Sequence, residues 1–122
     1  MHSALRPFLA LASFGVVPQA AAGETFEYQA LPPLPDPLGF AGMYADSTAN
    51  GIIAAGGHRF SGGIPWWEGG TKVWSNVIYT FDPGMGKWQT RPETLARPMG
   101  DGVSVAWRDG LVCAGGGDST QA

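Results

Sequence analysis

The sequence predicts an all-β chain made of repeated sets of short antiparallel strands. Three observations carry that prediction. The 122 residues hold 19 Gly, 10 Pro and 5 Trp, a mix that suits short strands joined by tight turns, with large aromatics packed between sheets. Apolar residues make up 44% and charged residues 14%, so the chain is neither disordered nor strongly electrostatic. An apolar strand ending in a glycine pair occurs twice, at Ile52–Gly57 and Leu111–Gly116, 59 residues apart.

The first 22 residues read as an address. Arg6 is the early positive charge, Phe8–Val17 is an apolar run, and Pro18 breaks it ahead of Ala20-Ala21-Ala22. That is the order of a secretory signal, with cleavage expected after Ala22. Ten apolar residues span about half of a bilayer's hydrocarbon core, too little for a retained membrane helix. A buried N-terminal helix is the alternative. Export to the periplasm or beyond is expected, with no membrane attachment after cleavage. Without Arg6, six basic side chains face ten acidic ones, a formal charge of −4. With no basic run, nucleic acid is excluded as a partner.

The strands follow in order. Phe40–Asp46 is expected as the first, Ser47–Gly51 as a turn, and Ile52–Gly57 as the second strand. A long loop, His58–Asn76, leads to Val77–Asp82, whose Tyr79 and Phe81 share a face by the two-residue period. Pro83–Gly86 turns the chain into Lys87–Arg91, which carries Trp88. The punctuation then restarts with Gly100–Trp107, the turn Arg108–Gly110, and Leu111–Gly116. Cys113, the lone cysteine, rules out an internal disulfide and reads as a small buried hydrophobe. A reactive thiol is the alternative, although nothing nearby lowers its pKa.

A strand ending in Gly56-Gly57, then Phe81-Asp82-Pro83, then Trp88 with six residues between it and the aromatic resembles the kelch repeat. Four-stranded repeats of about 50 residues are propeller blades, and the expanded loop accounts for the longer offset. The resemblance implies a kelch-type β-propeller, six-bladed when complete, of which about one and a half blades are present. Residues 1–22 are then the signal, 23–38 the outer strand of the closing blade, 39–95 the first blade and 96–122 the first half of the second. Phe26–Pro35 supplies that outer strand. With two sheet faces uncovered, the chain reads as an N-terminal fragment.

Strand order in an up-and-down blade places the loop after the second strand beside the links between blades. His58–Asn76 should therefore crowd against Leu31–Gly39 and Thr94–Met99. Long loops on a rigid scaffold often carry function. Arg59, Trp66, Glu68 and Lys72 from this loop, with Arg97 from the next link, are the candidate substrate-binding residues. Two arginines on one rim suit a carboxylate held in forked geometry, and indole faces suit a sugar ring. The duller roles are also open. Trp74 and one of Trp66 and Trp67 are expected to pack the loop's own core, Glu68 and Lys72 to pair on the surface, and His58 to be a hydrogen-bonded loop residue. Neither clustered histidines nor paired cysteines provide a metal set.

Three runs resemble bacterial N-acetylneuraminate epimerases, the sialic acid mutarotases: Pro35–Gly42 (PDPLGFAG), Pro65–Trp74 (PWWEGGTKVW) and Arg97–Ser104 (RPMGDGVS). The second Trp and Arg59-Phe60-Ser61 depart from that pattern. The resemblance implies an exported enzyme that interconverts the anomers of an acidic sugar by general acid–base ring opening and closure, without a cofactor. It implies a catalytic glutamate in a later blade, so no catalytic residue is assigned and this chain alone is expected to be inactive. A non-enzymatic kelch module binding a protein or carbohydrate partner is the alternative. A copper oxidase on the same scaffold would need Tyr and His ligands that these residues do not supply.

Overall fold

The structure is a computed structural model that describes residue 23 and residues 25–120. The expected signal segment and its cleavage site lie outside the described residues. The described residues are all-β, with eight antiparallel strands in three sheets, none of them closed.

The central sheet has four strands in the order β1 (Tyr44–Thr48), β2 (Gly51–Ala55), β5 (Val77–Asp82) and β6 (Lys87–Thr94). Between β2 and β5 the chain leaves the sheet to form a separate hairpin of β3 (His58–Phe60) and β4 (Lys72–Trp74). A second hairpin, β7 (Val103–Trp107) with β8 (Gly110–Ala114), follows β6.

Several boundaries differ from the sequence expectation. The first strand begins at Tyr44 because Gly42 turns the chain at φ 64°. Ala41 keeps only an isolated bridge to His58. In the second unit the same break recurs, with Gly100 bridging Gly117 and the strand starting at Val103. The fourth strand runs on to Thr94. The region His58–Asn76 is a paired hairpin tipped by two single 3-10 turns, Ser61–Gly63 and Trp66–Glu68, rather than an irregular loop. Residues 25–34 form no strand: a strand needs a neighbour for its ladder, and none of the described strands pairs with them. They are tied down instead at Pro32, whose carbonyl accepts the Trp88 indole N–H at 2.8 Å.

One face of the central sheet carries Ala54, Tyr79 and Phe81, all buried. Trp88 packs on Phe81 with ring centroids 5.3 Å apart, and Phe40 lies 6.4 Å from Tyr79. The opposite face carries Tyr44, the one large side chain among the described residues that is fully buried. There β7 and β8 pack against β1. Beyond them the same face opens into a cleft of about 500 Å³ between Ile53, Ile78 and Thr80 on one wall and Leu111 and Cys113 on the other. Cys113 is thus exposed rather than part of the core. It sits in this recess, where desolvation pushes its thiol up.

The two repeats touch through equivalent positions. Ser104 Oγ donates to the Ala45 carbonyl at 3.1 Å and accepts the Ala45 N–H at 3.0 Å, and Asn50 donates to the Asp109 carboxylate at 3.0 Å. Each of these pairs is separated by 59 residues, the spacing of the two glycine pairs. The second glycine pair explains why glycine is required. A Cβ on Gly116, at φ 104°, would lie 2.4 Å from the Tyr44 hydroxyl oxygen and 2.3 Å from the Gly100 carbonyl oxygen. The ring of Tyr44 therefore lies against bare backbone of the following repeat.

Candidate functional site

The β3–β4 hairpin leaves one end of the central sheet and stands between the two incoming links. Backbone hydrogen bonds fix this placement: Gly57 N–H to Met99 O at 2.8 Å, Met99 N–H to Ser75 O at 3.1 Å, and Leu95 N–H to Asn76 O at 2.9 Å. The hairpin region and both links share one end of the sheet, as the strand order predicts.

In a two-stranded ribbon, side chains alternate between faces. The register pairs His58 with Trp74, Arg59 with Val73 and Phe60 with Lys72. Arg59 and Lys72 therefore project from opposite faces and do not share one wall. Each face is held by an aspartate from a different link.

On the first face, Arg59 forms an ion pair with Asp36 and stacks over the Phe40 ring, its guanidinium carbon 5.1 Å from the centroid. The Asp36 side chain also accepts the amides of Leu38 and Gly39, at 2.9 and 3.1 Å. Partial burial pushes its carboxyl up, but these donors outweigh that, so it lies below its ordinary value.

On the second face, Asp101 takes two contacts. His58 Nε2 is 3.0 Å from Oδ1, and Lys72 Nζ donates to Oδ2 at 3.3 Å. Lys72 Nζ also lies 4.2 Å from the centre of the Trp74 ring, against which His58 packs edge-on at 5.1 Å. His58 Nδ1 is buried without a partner among the described residues. Desolvation pushes Asp101 up, and the contacts from His58 and Lys72 outweigh it to leave its pKa lowered. Lys72 pairs with Asp101 rather than with Glu68.

Trp66 and Trp67 stand at the hairpin tip, 68% and 67% exposed, in an edge-to-face pair with centroids 5.8 Å apart. Neither packs a core of the loop; Trp74 alone of the three is half-buried, because the hairpin is only two strands thick and has no interior at its tip. Glu68 lies beside them, exposed. Arg97 belongs to the following link and pairs with the buried Asp118 at 3.2 Å while staying 67% exposed.

The two arginines hold opposite ends of related ion pairs. Arg59 follows the bridge residue His58, and Asp118 follows the equivalent bridge residue Gly117. Each pairs with a residue of its incoming link, Asp36 in one case and Arg97 in the other. Both repeats thus carry one ion pair at this place, with the charges exchanged. Asp36, Asp101 and Asp118 escaped the sequence reading of the site. Asp101 alone carried a visible signal: at the 59-residue offset it stands where the first repeat has Gly42.

Among the described residues, no group of three or more His, Cys, Asp or Glu is placed to hold a metal ion. Comparison with protein-family models, curated proteins and solved structures returns no match for the chain.

Proposed function

We propose that the chain forms the opening repeats of a kelch-type β-propeller and contributes part of the binding site of a sialic acid mutarotase. The propeller part rests on the repeat contacts at constant offset and on the glycine pair beneath Tyr44. One observation supports the sugar part: the three runs that resemble the epimerases meet at one end of the sheet. Asp101 of the third reaches both Gly42 of the first and Lys72 of the second.

In this reading the exposed guanidinium of Arg97 and the partly exposed guanidinium of Arg59 offer N–H donors beyond those given to their aspartates. A free sugar carboxylate takes those donors, and the exposed indole of Trp66 takes the apolar face of the ring. Ring opening needs a base at the anomeric hydroxyl and a donor at the ring oxygen. No residue here is assigned to either task.

The test is calorimetric titration of N-acetylneuraminate and its neutral relative N-acetylmannosamine into the chain and into Arg59→Ala and Arg97→Ala. Preference for the acid should fall about tenfold or more in each variant, the loss expected for one charge-assisted hydrogen bond. Equal affinity for both sugars in the parent, or variants that bind the acid as the parent does, would contradict the reading.

A further inference from the structure

We propose that Asp101 is a sugar-contacting carboxylate of this site, accepting hydrogen bonds from ligand hydroxyls, with His58 and Lys72 as its positioning residues. The proposal rests on the sugar-binding reading above and adds to it a residue and the part of the ligand that it meets.

Backbone strain is the first observation. Asp101 sits at φ 61°, in the left-handed region, which is unfavourable for a residue with a Cβ. Its equivalent in the first repeat is Gly42, at φ 64°. The fold therefore calls for glycine at this post, and the second repeat places a carboxylate there in spite of the strain. Such outliers persist where the surroundings over-determine them, and they gather at functional sites.

Fixation of the carboxylate is the second. The Asp101 N–H donates to the Gly42 carbonyl at 2.8 Å, and a Cβ on Gly42 would lie 1.9 Å from Asp101 Oδ1. His58 and Lys72 each hold one of the two oxygens. A carboxylate has about four acceptor sites, so each oxygen keeps a free lone pair.

Exposure is the third. The side chain remains 43% exposed, whereas Asp118, which serves only the rim pair and its own turn, is buried. Asp101 also stands over backbone without side chains. A Cβ on Gly42 would collide with the Asp101 carboxylate, so this floor must stay bare. A fixed, ionised, accessible acceptor over such a floor suits the hydroxyl groups of a small polyol. It would repel a carboxylate, and so it assigns the sugar's hydroxyl side to Asp101.

The test uses Asp101→Asn, which keeps the shape and tolerates the left-handed backbone, and Asp101→Gly, which installs the first repeat's residue. N-acetylneuraminate and N-acetylmannosamine are titrated into each, with thermal midpoints recorded. Both variants should fold and lose about tenfold or more in affinity for both sugars, since the contact is to hydroxyls common to the two. Lys72→Met should weaken both sugars, and Lys72→Arg should restore them. If Asp101→Asn binds both sugars as the parent does, Asp101 is a structural clamp and the proposal falls, while the acid-sugar reading survives. If the parent binds both sugars equally, the acid-sugar reading falls, yet a tenfold loss in Asp101→Asn still upholds Asp101. A parent that binds neither sugar overturns both.

Discussion

The Tyr44 hydroxyl donates to the Gly115 carbonyl at 2.8 Å, joining the first strand of one repeat to the last described strand end of the next. The same hydroxyl stands against the place that a Cβ on Gly116 would take. Replacing Gly116 by Ala should cost about 3 kcal/mol, combining left-handed backbone strain with overpacking. Gly115→Ala should cost only about 1 kcal/mol, for its φ of 66° with open space around it. Tyr44→Phe should cost about 1 kcal/mol for the lost hydrogen bond. Urea unfolding of the three variants checks the order; equal losses at the two glycines would show that Tyr44 does not hold this place.

The exchanged ion pairs predict a tolerated charge swap. Asp36→Arg and Arg59→Asp should each lower stability by about 1 kcal/mol, and the double variant should recover most of that loss. The double variant gives the first repeat the polarity that Arg97 and Asp118 already have in the second. A thermal double-mutant cycle measures the coupling, and strict additivity would show that the pair contributes nothing.

Stability should fall at both ends of the pH range. Asp46 is lowered by the backbone amides of Ala106 and Ser47, and Asp118 by Thr120. A depressed folded pKa contributes stability that is present above the ordinary value of 3.8 and lost as pH falls through and below it. Burial raises Tyr44 from 10.0, so its contribution is present below pH 10 and lost as pH rises beyond. In thermal melts across pH, Asp46→Asn should flatten the acid limb and Tyr44→Phe the alkaline one. Limbs unchanged in both variants would count against these assignments.

Self-association is expected of the isolated chain. Val103, Val105, Trp107 and Val112 share the outward face of the β7–β8 hairpin and are each more than half exposed. In the first repeat the equivalent face, with Tyr44, is the one that β7 and β8 cover. An uncovered apolar strand face drives association. Sedimentation velocity should show oligomers that Val105→Lys reduces; a monomer at all concentrations would contradict this.

The strand pattern was legible because glycine pairs, turns and two-residue alternation are local signals. Val77–Asp82 was placed at its actual bounds, and strand order alone predicted that the long insertion and both links share one end. The β3–β4 pairing was missed because each of its strands is only three residues long, too short for a periodic signal. The register, and with it the separation of Arg59 from Lys72, depends on tertiary pairing that spacing does not reveal. Asp36 and Asp118 were missed because an aspartate in a link has the same local signature whether it caps a turn or pairs with an arginine. Cys113 looked buried because its run is apolar, but an apolar strand is buried only if something packs on it.

The most direct test of a sugar site at this end of the sheet is chemical-shift mapping of backbone amides during titration with N-acetylneuraminate. The perturbed amides should fall in residues 35–42, 58–74 and 97–104. Perturbation centred instead on the cleft at Ile53, Ile78 and Leu111, or no perturbation at millimolar sugar, would contradict it.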